Sequence, residues 1–157
     1  MSYKNIAFFS FLLIFTISID QYIKYIFVDG FVRHFDCISF ILTYNDGIAF
    51  SMLSSFGENL KYVQIALISV LFVYFIYDKV FFKNNFIALG FIMGGGISNI
   101  MDRFLHSEGV VDFVYWHCIF DFAIFNSADV FINIGAFLII LSFVLEYKNS
   151  KKEENVQ

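Results

Sequence analysis

Proline is absent from the 157 residues, and only 15% of them are charged. Without proline, any break in a helix has to come from glycine or from polar side chains. The shortage of charge excludes an ordinary water-soluble domain, which has about 25% charged residues to coat its surface. Cysteine is scarce as well. Cys37 and Cys118 are too few for a disulfide framework, and neither belongs to a C-x-x-C pair, so buried packing is the favoured reading. Ten Lys and Arg against 14 Asp and Glu give a net charge of −4, which offers nucleic acid no basic stripe. His34, His106 and His117 lack metal-ligand spacing and read as interfacial polar residues, so no metal is expected.

What the chain has instead is apolar bulk. Hydrophobic residues make up 59%, aromatics 22% and phenylalanine alone 24 positions, with a mean hydropathy of +0.73. A surface that faces lipid needs no polar coat, so the chain reads as membrane-embedded. Its length suits a single domain over 1–157.

Four stretches approach or exceed the roughly 20 apolar residues that cross a ~30 Å hydrocarbon core: 5–28, 60–77, 86–104 and 124–145. The first resembles a secretory signal, with Lys4 before an apolar run. No small-x-small cleavage site follows, and Tyr22, Ile23, Tyr25, Ile26 and Phe27 continue the pattern. It is read as a retained anchor. If the spans alternate, Lys4, Lys79, Lys83, Lys148, Lys151 and Lys152 share one side. That side is then cytoplasmic and holds both termini. The outer loops are 29–59 and 105–123. Residues 35–44 (FDCISFILTY) mix β-branched and aromatic types with partial alternation, and Asn45-Asp46-Gly47 makes a turn. The expected architecture is an all-α integral membrane protein of four transmembrane helices with a small extracytoplasmic β-sheet in the first outer loop. Phe50, Met52 and Leu53 are expected to dip into lipid or substrate, and the tail 148–157 to be disordered. Trp116 and the tyrosines near span ends fit an interfacial aromatic belt.

Ionisable groups inside such spans cost at least ~2.5–3.5 kcal/mol on insertion scales, so they are functional candidates by default. Asp20 and Lys24 are spaced i,i+4 on the first span and can pair. In GGGISNIMDRF (94–104), Asn99, Asp102 and Arg103 share a helical face, while the glycines let another helix approach. The segment lacks GxxxxGK[ST], which rules out a P-loop. In FNSADVFIN (125–133), Asn126, Asp129 and Asn133 make a polar stripe. Asp112 stands among Val110, Val111 and Phe113, where desolvation should raise its pKa.

Two carboxylates in a partly dry site share one proton, so one can act as base toward water while the other donates to a carbonyl. Asp102, Asp112 and Asp129 are all candidates on spacing alone. Polar helix–helix contacts are the plain alternative.

These residues, taken together and in order, resemble the lipoprotein signal peptidase family, also called signal peptidase II or prolipoprotein signal peptidase. Asp20-Gln21 with Lys24 is similar to its D-Q-x-x-K motif, and Asn45-Asp46-Gly47-Ile48-Ala49-Phe50 to N-x-G-x-A-F. Asn99, Asp102 and Arg103 fit N-x-x-D-R, Val111-Asp112-Phe113 fits V-D-F, and Phe125-Asn126 with Ala128-Asp129 fits F-N-x-A-D. The departures are small: Ser98 and Gly96 replace a common glycine and alanine, and Ala123 lies near a missing proline.

The resemblance implies an aspartic endopeptidase with Asp112 and Asp129 as the catalytic pair and no cofactor. Asn99, Asp102, Arg103 and Asn126, with Ala128 beside them, would support the pair. Asp20, Lys24, Asn45 and Gly47 would shape or gate the substrate site. The implied substrate is a diacylglyceryl-modified prolipoprotein, cut before its lipidated cysteine in the bacterial cytoplasmic (inner) membrane near the outer face. Membrane lipid and globomycin-type inhibitors are the other implied partners, with the protein a monomer. Two rival readings are a proton- or ion-conducting membrane protein, which needs acids through the membrane's depth, and a non-enzymatic scaffold for lipidated peptides.

Overall fold

Four long helices dominate the computed structural model: α1 Tyr3–Val28, α2 Leu60–Tyr77, α3 Lys79–Leu105 and α4 Ser127–Glu154. The structure describes residues 2–47, 57 and 59–154. Ile48, Ala49 and Phe50 of the outer-loop motif, with Met52 and Leu53, lie outside the described residues. At 1.5 Å per residue even α2 is about 27 Å long, and all four helices are long and apolar enough to cross a membrane. Their outward faces are apolar too. Phe11, Ile14, Leu67 and Ile140 are each about 60% exposed, a surface that suits hydrocarbon rather than water.

Local signals set the helix ends. The Ser2 side chain accepts the Lys4 N–H at the start of α1. Asp78 alone separates α2 from α3, and its carboxylate accepts the N–H groups of Val80 and Phe81 at 3.1 and 2.8 Å. Helix α3 therefore begins at Lys79, seven residues before the apolar span read from the sequence, because hydropathy marks the bilayer crossing and not the helix. The tail expected to be disordered is instead helical through Glu154. Lysine and glutamate are good helix formers, Lys151 lies 5.1 Å from the Tyr147 ring, and cations favour a helix C-terminus.

Helix α3 is the centre of the bundle and packs on α1, α2 and α4. Three consecutive glycines allow this. A Cβ on Gly94 would fall 2.7 Å from Thr16 of α1, on Gly95 2.6 Å from the Ala128 carbonyl of α4, and on Gly96 2.5 Å from Ile68 of α2. The packing role read for these glycines is thus directed at three different neighbours.

At the lysine-rich end Phe9, Phe75 and Phe82 form an aromatic cluster with centroids 5.5–5.7 Å apart, Phe9 meeting the other two rings edge-on. Asn84 of α3 donates to Glu146 of α4 there at 2.9 Å.

At the other end sits a three-stranded antiparallel sheet in the order β1 (Arg33–His34), β2 (Ile38–Asn45), β3 (Val110–Trp116). The strand read at 35–44 is present as β2. The second outer loop also supplies a strand, unforeseen in the sequence, and Asp112 sits on it opposite Thr43. Gly109, at φ +120°, opens β3: a Cβ there would collide with the Asn45 carbonyl.

Cys37 and Cys118 form a disulfide across 81 residues. This corrects the packing assignment. The β2–β3 register pairs Ile38 with Trp116, and the His117 N–H donates to the Cys37 carbonyl at 3.0 Å, which brings the two cysteines together.

Candidate active site

Helix α4 starts from a reciprocal cap. The Asn126 side-chain oxygen accepts the Asp129 N–H at 2.9 Å, and Asp129 Oδ2 accepts the Asn126 N–H at 3.1 Å. This is a capping box built from Asn and Asp, and it fixes the Asp129 side chain at the helix entrance. Phe125, just before the cap, exchanges backbone hydrogen bonds with Val114 of β3 at 2.8 and 3.1 Å. Asn126 is thereby brought against Asp112, and its Nδ2 donates to Asp112 Oδ1 at 2.6 Å. One residue, Asn126, thus contacts both Asp112 and Asp129.

The other carboxylate oxygens are held as well. Asn45 Nδ2 donates to Asp112 Oδ2 at 3.0 Å, and Asn99 Nδ2 donates to Asp129 Oδ1 at 2.9 Å. Asp112 is 2% exposed. Burial pushes its carboxyl up to about 6; the bond from Asn45 opposes this, the nearby Asp129 charge adds to it, and Asn126 and Lys24 oppose it.

Beneath the pair lies a buried polar network joining α1, α3 and α4. Lys24 is 2% exposed, so it does not snorkel. Its Nζ lies 2.7 Å from both Asp20 and Asp102 and donates to Asn99 Oδ1 at 2.8 Å. Asp20 also accepts the Ala128 N–H at 2.7 Å, the Ser127 hydroxyl, and the Ser98 hydroxyl at 2.7 Å. Asp102 accepts the Val111 N–H at 3.1 Å, one residue before Asp112. Each buried carboxylate therefore both balances Lys24 and orders backbone beside one member of the pair.

Of the residues singled out in the sequence, Asn45, Asn99 and Asn126 contact the pair directly, whereas Asp20, Lys24 and Asp102 stand beneath it. Ala128 is fully buried and gives its N–H to Asp20. Arg103 does not reach the pair. Its Nε donates to Gln64 at 2.8 Å, and its terminal nitrogens donate to the carbonyls of Asp46 and Gly47, which ties the outer-loop turn to α3.

Sequence reasoning assigned no site role to Gln21, Ser98 or Ser127, although Gln21 stands in the D-Q-x-x-K motif. Gln21 Nε2 donates to Asp102 at 2.7 Å and to Ser98. The polarity of Gln21 within an apolar helix was a usable signal, but Ser98 read only as a small packing residue. His34 and His117 both hydrogen-bond Ser39, away from the pair. Among the described residues no cluster of three or more His, Cys, Asp or Glu could hold a metal.

Asp129 opens onto a groove of about 530 Å³ between α2, α3 and α4, walled by Leu67, Ile68, Ile124 and Ile132. An acid pair of this kind, with one member lining an apolar groove, can serve proton transfer on a bond carried by a membrane-bound chain.

Known proteins resemble this chain in sequence and in fold. Residues 12–145 match the family model for signal peptidase (SPase) II. The lipoprotein signal peptidase of Sulfurimonas denitrificans is 50% identical over 124 residues, which is 78% of each chain. That of Campylobacter jejuni serotype O:2 is 41% identical over 157 residues, or 99% of this chain and 97% of the relative. A bacterial membrane enzyme solved by the in meso method at 2.3 Å superimposes with a TM-score of 0.79 at 27% identity, over 92% of each chain. A family model over residues 12–145, a similar sequence over nearly the whole length and a similar fold converge: the chain belongs to the signal peptidase II family and is a peptidase of bacterial membranes.

Proposed function

We propose that Asp112 and Asp129 are the catalytic pair with which this peptidase removes the signal peptide from prolipoproteins, cutting before a cysteine that already carries diacylglycerol. The observation that carries the proposal is Asn126, which hydrogen-bonds Asp112 through its side chain and Asp129 through its backbone N–H. Two acids held this close share a proton. The ionised carboxylate takes a proton from a water molecule, whose oxygen attacks the scissile carbonyl. The protonated partner donates to the carbonyl oxygen. Collapse of the tetrahedral adduct breaks the C–N bond and passes a proton to the cysteine nitrogen.

The whole chain works as one membrane-embedded unit and as a monomer. The lysine-rich helix ends face the cytoplasm, because cytoplasmic flanks carry the excess of Lys and Arg. The acid pair then lies near the outer face, where the substrate's acyl chains remain in the bilayer while its scissile bond reaches the carboxylates.

The test is purified protein in lipid with a diacylglyceryl-modified precursor, with and without globomycin. Cleavage before the modified cysteine, blocked by globomycin and lost in Asp112→Asn and Asp129→Asn, is expected. Normal processing by either variant would refute the catalytic assignment.

A further inference from the structure

Asn133 is a polar residue for which the acid pair has no use. It follows Asp129 by i,i+4 on the same face of α4 and lines the same groove, with Gln64 of α2 on the facing wall. The rest of the groove lining at this level is mostly aliphatic, including Leu67, Ile68 and Ile132. Among the described residues the Asn133 amide makes no hydrogen bond. An amide facing hydrocarbon without a partner is costly, so its place calls for a polar group that arrives from outside the chain.

The spacing says which group. At 1.5 Å rise per residue Asn133 lies about 6 Å deeper along α4 than Asp129. An extended peptide advances about 3.3 Å per residue, so this depth corresponds to about two residues of substrate. A bond presented to the acids lies in extended chain, and its neighbours have no helical partners for their N–H and C=O groups. In an apolar groove those groups must find partners on the protein.

We infer that Asn133 binds the substrate main chain about two residues to the signal-peptide side of the scissile bond, holding that stretch extended by hydrogen bonds to its backbone. The inference rests on Asp112 and Asp129 being the catalytic pair. Because an amide both donates and accepts, the contact is indifferent to the side chain at that substrate position.

The experiment measures kcat/KM for wild type and Asn133→Leu in lipid on diacylglyceryl-modified precursors. One precursor is all-amide, and two carry a single backbone ester at the linkages flanking the second residue before the cut. Leucine favours insertion, so the variant is expected to fold, and its Tm is compared with wild type. Asn133→Leu should lose about tenfold on the all-amide precursor. On one ester precursor wild type should have lost that factor already, leaving the two enzymes within about twofold. Equal activity of variant and wild type on the all-amide precursor overturns the inference, as does an equal loss on all three precursors, which would mark a packing effect. If wild type cleaves none of them, the catalytic assignment itself fails and the inference falls with it.

Discussion

The carboxylate of Asp20, on α1, accepts the backbone N–H of Ala128, on the first turn of α4, at 2.7 Å. An acid from the first helix thus sets the entrance of the last one, immediately before Asp129. Asp20→Ala removes an ion-pair partner of buried Lys24 as well as this cap, so it is expected to cost more than the about 1–2 kcal/mol of a lost cap alone and to lower kcat more than it raises KM. Asp20→Asn, which still accepts, should be milder. Thermal melting in detergent beside steady-state kinetics separates the two effects.

Replacing either acid of the proposed pair by its amide keeps the shape of the site and removes the proton that the proposed mechanism shares between them. Asp112→Asn and Asp129→Asn should each lower kcat by about a thousandfold or more, and the double variant little further, since residues acting as a unit are not additive. Membrane insertion, checked by fractionation and melting, should be retained.

Asp112 supplies a pH dependence with a defined sign. Its carboxyl stands at about 6, above the ordinary 3.8, chiefly because it is buried. The folded state therefore holds this proton more tightly than the unfolded state, and the associated stability is lost as pH rises from about 4 through about 6. Asp112→Asn cannot ionise, so its Tm should gain on wild type across that window and stay level above it. The kcat/KM of wild type should decline on the alkaline side of the same titration, since kcat/KM reports the free enzyme.

Lys24 forms ion pairs with two buried carboxylates at 2.7 Å each. Removing one partner of a buried ion pair typically costs about 3–5 kcal/mol. Lys24→Met should therefore melt well below wild type at neutral pH. A variant as stable as wild type at pH 8 would show that the network holds nothing together.

The Cys37–Cys118 bond closes an 81-residue separation. A disulfide typically stabilises by about 2–4 kcal/mol, and more as the closed loop lengthens. The Cys37→Ser/Cys118→Ser double variant should melt earlier than the oxidised protein and match the reduced one. Thiol labelling of wild type before and after reduction verifies the bond directly.

Composition alone was enough to place this chain in a membrane. With 15% charged residues it has no means of coating a soluble surface, and four apolar runs of crossing length dictate four helices because lipid leaves backbone groups no other partner. The polar residues within those runs were legible as a site for the same energetic reason. Their partnerships were not. The Asn126–Asp129 cap is local and spacing hints at it, but the contacts of Asp112 with Asn45 and Asn126, of Asp20 with Ala128 and of Cys37 with Cys118 span 14 to 108 residues. They depend on β3 pairing with β2 and on three glycines letting α3 approach three helices at once. Those distances are decided by packing in three dimensions, and no periodicity along the chain encodes them.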